Sequence, residues 1–367
     1  MQRVAPYRLL VVRLGAMGDI LHALPAITAL RVMHPLWRID WVVEPRWRSL
    51  LSSEHPVSIH SDGQLENNRS AARPVVDRIV EVDTRQWRRD GISLAAARAV
   101  AKVRADLRAV EYEAVLDLQG AIRSAVIARF AGCRRTIGDR NPREREARWL
   151  YTEPVAIHAE HVIDRACELA SVIAADPLEI CAPQLPVDSV AEAWCDALLK
   201  EKSAFVLIHP GAGWGAKRWP PERYRAVADW LAQKGLRVLV NVGPGEKPLA
   251  SAVMTGSPLV QAVQSSLAEL VALTRRAALV IGGDTGPLHL ASAVGRPVVG
   301  IYGPTDPARN GPYRFPGGAE CSVLRTPESR RDHRRLSDPE AGLLRIDVAT
   351  VCAEAERMLA QRYNQQG

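Results

Sequence analysis

Short, nearly unbroken apolar runs alternate along this chain with longer stretches whose apolar positions recur every three or four residues. The runs at 8–13 (RLLVVR), 38–44 (RIDWVVE), 77–82, 112–118, 204–208, 236–242, 279–281 and 297–302 have the pattern of parallel strands covered on both faces. Between them, helical periodicity predicts helices from the end of the 14–19 loop to about 33, over 93–110, through 130, and over 160–173, 191–200, 221–235 and 267–275, with a last amphipathic helix at 347–363. Ile20, Leu24, Ile27 and Leu30 mark one face of the first, where Pro25 either kinks the helix or starts its regular part. Strand and helix alternate in both halves, which predicts two doubly wound α/β domains. Residues 175–187, with three prolines and weak periodicity, read as the linker. The expected organisation is therefore 1–180, 188–345, and a C-terminal helix within 346–367 that can pack back on the first domain. The polar stretch 52–74 reads as a long surface loop.

The richest chemistry lies at 280–312 (VIGGDTGPLHLASAVGRPVVGIYGPTDPARNGP). A strand ends on Gly282 and Gly283, and Asp284, Thr285, Gly286 and Pro287 form a helix start in which Asp or Thr can cap the first amides. Such a helix N-terminus suits a phosphate or diphosphate, and His289 lies in the first turn. Two further strands end on glycine-rich loops: 209–220 (HPGAGWGAKRWP), carrying Lys217 and Arg218, and 243–247, where Glu246 is placed either to accept from a ribose diol or simply to face solvent. None has the spacing of the dinucleotide fingerprint or of an ATPase phosphate loop. In the N-terminal half, Asp19 follows the first strand, as a helix cap or as a carboxylate presented at the carboxyl end of a parallel sheet.

Composition changes little: apolar residues are 47% and charged residues 24%, ordinary for a soluble globular protein. The net charge of +7 favours anionic ligands or an anionic membrane surface without reaching the excess of a nucleic-acid tail. Arginines cluster at Arg85, Arg88 and Arg89 around Trp87, and again over 140–148, including Arg145. Arg clusters of this kind bind carboxylates and phosphates, or form solvated faces. Six scattered cysteines, no signal-like N-terminus and no membrane-length apolar run predict a cytoplasmic protein with, at most, peripheral membrane contact.

The stretches 17–26 (MGDILHALPA), 40–44 (DWVVE), 112–124, 209–219 and 283–313, above all DTGPLHLASA followed by YGPTDP, resemble the bacterial lipopolysaccharide heptosyltransferases of glycosyltransferase family 9. The N-terminal stretches are most similar to members that add the first heptose; 209–220 is more like the wider family, and 52–74 is longer than that family's pattern on the acceptor side. The resemblance implies the GT-B fold, with two Rossmann-like domains facing a central cleft. It implies inverting transfer of L-glycero-D-manno-heptose from ADP-heptose to Kdo of lipid A at the cytoplasmic face of the inner membrane, with no metal, cofactor or nucleic acid. By the same resemblance Asp19 is the general base, and Lys217 with the Thr285 and Gly286 amides stabilises departing ADP. Glu246 holds the ribose, Asp284 and His289 contact the donor, and Gly18, Pro287 and Leu288 lie beside it. Arg85, Arg88, Arg89 and Arg145 are candidates for the acidic acceptor. Alternatives are a family member with another acceptor or sugar, a GT-B sugar-nucleotide epimerase, and a non-catalytic nucleotide-binding protein.

Overall fold

The computed structural model describes residues 7–55, 69–91, 93–200, 204–243, 245–332 and 336–366. It divides into two compact units, Met1–Asp188 and Ser189–Gly367. In the first, β1 (Arg8–Val12), α1 (Met17–Met33), β2 (Arg38–Val43), β3 (Arg78–Glu81), α2 (Thr84–Asp90), α3 (Leu94–Arg108), β4 (Ala114–Asp117), α4 (Ile122–Phe130), β5 (Thr136–Asp139), β6 (Glu153–Val155) and α5 (Val162–Ala174) follow one another, with 3₁₀ turns at Pro45–Leu50 and Arg145–Leu150. The strands form one parallel sheet in the order β3-β2-β1-β4-β5-β6. Strand order reverses between β1 and β4, so the crevice outside their carboxyl ends is the natural ligand position of this unit.

The second unit repeats the scheme: α6 (Ser189–Leu198), β7 (Phe205–His209), α7 (Pro221–Gln233), β8 (Arg237–Asn241), α8 (Lys247–Val253), β9 (Val260–Val263), α9 (Leu267–Arg276), β10 (Leu279–Gly283), α10 (Gly286–Ala293), β11 (Val298–Ile301), α11 (Pro307–Asn310), β12 (Cys321–Leu324), α12 (Ala341–Leu344) and α13 (Val348–Gln366). Its parallel sheet runs β12-β11-β10-β7-β8-β9, with the reversal between β7 and β10. Core strands such as β7 and β10 are buried at every position because helices cover both faces, which is why they read as continuous apolar runs. α1 continues through Pro25 and is buried on most sides, including Arg31, whose guanidinium meets Asp77 at 2.5 Å.

Several expectations need correction. Residues 175–187 pack within the first unit: Gln184 N–H donates to Thr28 Oγ1 at 3.3 Å and Val187 N–H to the Ala71 carbonyl at 2.8 Å, so the division falls after Asp188. In the last helix, Val351, Cys352, Ala355, Met358 and Leu359 join a core with α7 and the second sheet. The strands β5, β6, β9 and β12 and the helix α8 escape the sequence pattern, being three to seven residues long. In the polar stretch 52–74, residues 56–68 lie outside the described residues; the flanks are pinned by Ser53 N–H to the Ala72 carbonyl at 2.7 Å. The six cysteines are free thiols, and among the described residues no helix is long and apolar enough to cross a membrane.

Candidate active site

Asp19 occupies the third position of α1, directly beyond the carboxyl end of β1. The capping and functional readings meet here. Its Oδ2 accepts the Ala16 N–H at 2.8 Å, satisfying a first-turn donor, while Oδ1 stands 2.8 Å from Arg13 Nη2 and the side chain stays 40% exposed. The other terminal nitrogen of Arg13 donates to the Leu118 carbonyl, and Leu14 N–H donates to Gln119 Oε1 at 2.9 Å, so the ends of β1 and β4 are stitched together at the reversal point. Gly18 precedes Asp19 in the same helical turn. Beneath, fully buried Asp117 accepts from Gln119 N–H (2.8 Å), Gly120 N–H (3.3 Å), Ser124 Oγ (2.8 Å) and the Tyr151 hydroxyl (2.8 Å). Burial pushes its carboxyl up despite these donors. Neither Arg13 nor Asp117 was singled out from sequence; the Leu118 carbonyl that anchors Arg13 and the Tyr151 hydroxyl on Asp117 come from distant parts of the chain.

In the second unit the three glycine-rich strand ends become neighbours, because β10, β7 and β8 lie side by side at the centre of the sheet. Lys217 ends a 3₁₀ turn, Gly215–Lys217, and its ammonium bonds the Asp284 carboxylate while lying 4.1 Å from the centre of the Trp214 ring. Asp284 Oδ1 is 3.2 Å from His289 Nε2. All three side chains are buried. Burial by itself raises the Asp284 carboxyl, but His289 and the Lys217 charge outweigh it and hold the group well below the ordinary carboxylate range. Conversely, burial and the Asp284 charge drive the Tyr302 phenol far up. The turn is held from outside by the 336–340 segment: Ala216 N–H donates to the Leu336 carbonyl at 3.1 Å, and a Cβ on Gly215 would meet the Ser337 oxygen at 1.5 Å.

The capping expectation at α10 fails in an informative way. Thr285 is the N-cap, but its hydroxyl turns back to the Gly283 carbonyl at 3.2 Å, and the Asp284 carboxylate is committed to Lys217 and His289. No side chain caps the start of α10, and Pro287 has no N–H to offer. The Leu288 side chain is fully buried among Val280, Val298 and Tyr302. Glu246 is the N-cap of α8, half-buried, with Oε2 accepting the Gly243 N–H at 2.7 Å. A Cβ on Gly211 would lie 2.6 Å from Glu246 Oε1, so the 209–215 loop presses glycine backbone onto this carboxylate. His209, at the end of β7, went unnoticed in the sequence; burial pushes it down to about 3.

The arginines separate into two places. Arg85, Arg88 and Arg89 are exposed on α2, a helix rather than a loop, beyond edge strand β3; Arg85 Nε stands 3.9 Å from Glu44 Oε2 and Arg89 Nη2 donates to Gln86 Oε1 at 2.6 Å. Arg145 opens the 3₁₀ turn after β5, four strand positions away, or roughly 19 Å at ordinary strand spacing.

Comparison with known proteins agrees with this geometry. The profile of glycosyltransferase family 9 (heptosyltransferase) matches residues 100–334, more than half of the chain. Lipopolysaccharide heptosyltransferase 1 of Escherichia coli K12 is 29% identical over 326 residues, covering 87% of this chain and 94% of that protein. The protein of the same name from Pseudomonas aeruginosa is 27% identical over 312 residues, covering 83% and 81%. Among solved structures, E. coli heptosyltransferase WaaC with ADP superposes with a TM-score of 0.72 at 26% identity, covering 96% of this chain and 99% of that one. Two doubly wound parallel sheets, each with its own order reversal, are the GT-B fold. This chain belongs to glycosyltransferase family 9, the heptosyltransferases.

Proposed function

We propose that the protein is an inverting glycosyltransferase that moves L-glycero-D-manno-heptose from ADP-heptose to a Kdo residue of lipid A, working peripherally at the cytoplasmic face of the inner membrane. The observation that carries the reading is the buried Lys217–Asp284–His289 cluster beside the uncapped start of α10, a place built for a diphosphate. The relatives support the donor: WaaC is described with ADP and with ADP-2-deoxy-2-fluoro heptose. They support the acceptor class through the name lipopolysaccharide heptosyltransferase 1.

In this reading Asp19 takes the proton of the acceptor hydroxyl as its oxygen forms the new bond to the anomeric carbon, a task for an exposed, charge-paired carboxylate. The anomeric bond to ADP breaks with its electron pair passing to the β-phosphate. Lys217 and the Thr285 and Gly286 amides meet that charge, already oriented before it develops. Asp284 holds Lys217 and His289 in place, Gly18 and Pro287 shape the backbone around the donor, and Glu246 accepts from the ribose diol. The Leu288 contribution is confined to its backbone. Arg85, Arg88, Arg89 and Arg145 meet the carboxylates of the acceptor.

The test is incubation with ADP-L-glycero-β-D-manno-heptose, with and without Kdo-lipid A, following ADP and the mass of the lipid. A heptose-sized gain with stoichiometric ADP supports the proposal. Transfer confined to an already heptosylated core would move the protein to a later step, and loss of the nucleotide sugar without acceptor would point to an epimerase.

A further inference from the structure

On the described surface of the first unit, large apolar side chains and arginines coincide along α4 and the 145–150 turn. Trp149 is 72% exposed, and on the neighbouring helix α4 Ile122 is 42% and Val126 38% exposed. These are not remnants of loose packing, for the layer beneath them is closed: Ala125 of α4 packs with Ala147, Leu150 and Tyr151, so the 145–150 turn lies along the helix. Glu144 Oε2 ties the two by accepting the Ile122 N–H at 2.8 Å. Along the chain, the segment 122–149 carries eight arginines against three acidic residues, most of the excess charge of the whole sequence. Arg123, Arg129, Arg143, Arg145 and Arg148 are exposed, and the Arg148 guanidinium lies 5.7 Å from the Trp149 ring centre.

We propose that this face, α4 with the 145–150 turn, docks the protein on an anionic phospholipid bilayer. An indole prefers the headgroup level, where its apolar body and polar edge are both accommodated; short aliphatic side chains beside it add buried area, and arginines pair with lipid phosphates. Ile122 and Val126 neither stack on bases nor hydrogen-bond to them, which favours a lipid surface over a nucleic acid. The position fits as well. α4 and the turn follow the carboxyl ends of β4 and β5, and β4 adjoins β1, whose end bears Asp19. Docking by this face holds the base close to the level of a lipid-borne hydroxyl, a consequence that rests on the transferase reading given above.

Flotation of the purified full-length protein with vesicles tests it. Wild type is expected to float with phosphatidylcholine–phosphatidylglycerol vesicles, to stay behind with phosphatidylcholine alone, and to be released by salt. Trp149→Ser and Arg123→Glu should each lower the bound fraction at least about fivefold while ADP affinity, measured by calorimetry, is unchanged. Failure of wild type to float with anionic vesicles, or undiminished flotation of both variants, overturns the proposal. So does binding of RNA homopolymer in place of vesicles, or dissociation of an oligomer by Trp149→Ser. The assay contains neither donor nor acceptor: flotation without heptose transfer would leave the docking face standing and remove the transferase reading, and transfer without flotation would do the reverse.

Discussion

Arg13, the residue directly after β1, reaches out to hold Asp19, with Nη2 2.8 Å from Oδ1, while its other terminal nitrogen is anchored on the Leu118 carbonyl. The guanidinium is mostly buried and the carboxylate partly open, so the pair has one fixed member and one member facing outward. With Oδ2 accepting the Ala16 N–H and Oδ1 facing Arg13, the carboxylate keeps its direction while remaining 40% exposed. On the proposed reading of Asp19 as general base, Arg13 is its positioning residue.

Asp19→Asn should leave ADP affinity unchanged and reduce turnover at least about a hundredfold, the scale of losing general-base assistance. Arg13→Ala should reduce kcat roughly tenfold with little change in donor KM, and Arg13→Lys should recover much of the loss. Steady-state kinetics with both substrates separates this from a folding defect, which would lower the active fraction in all assays alike.

Lys217 is buried against Asp284, so its removal has two consequences. Lys217→Met should weaken ADP binding and slow transfer. It should also lower stability, by up to about 3–5 kcal/mol for a buried pair deprived of one partner, less whatever His289 retains. Lys217→Met with Asp284→Asn should regain stability in thermal unfolding without regaining activity. Equal unfolding temperatures for the single and double variants would show that the buried carboxylate is not the cause.

The His209 ring is pushed down to about 3 by burial, from an ordinary value of 6.5. Above pH 6.5 both folded and unfolded states leave it neutral, and it costs nothing. Between 6.5 and about 3 the unfolded chain takes up a proton that the folded protein refuses, so stability falls with falling pH by at most about 1.4 kcal/mol per unit. Denaturant titrations at pH 7 and 5 should show a smaller difference for His209→Gln than for wild type. An unchanged difference would assign acid sensitivity elsewhere.

Gly211 and Glu246 are coupled through the 2.6 Å approach that a Cβ would make. Gly211→Ala should displace the carboxylate and weaken ADP binding about tenfold, on the scale of one hydrogen bond to a charged group. Glu246→Ala should do the same, and the double variant should be little worse than either. Additive losses by calorimetry would separate the two residues.

Much of this architecture is legible in the sequence because it depends on short-range rules. Strands such as 204–208 and 279–281 announce themselves because both faces are covered, and Pro-Gly and Gly-Gly pairs mark where they end. The edge strands β6, β9 and β12 are not legible: they are short and carry exposed or half-buried residues that dilute the pattern. The division after Asp188 was misplaced because a proline-rich segment was read as linker, whereas tertiary hydrogen bonds to Thr28 and Ala71 bind it to the first unit.

The sequence by itself determined the order of strands and helices, the glycine-rich strand ends and the residue types for anion binding, all of which follow from backbone freedom and periodicity. Only the tertiary structure decided which strand ends meet. Lys217 and Asp284 are 67 residues apart, and they touch because the sheet order puts β7 beside β10. The same packing turned Leu288 inward, moved the Thr285 hydroxyl away from the amides it was expected to cap, and gave Asp19 the support of Arg13. Burial, and long-range partners such as Lys217 for Asp284 and the Leu118 carbonyl for Arg13, are set by neighbours far away in the chain, and no local pattern carries that information.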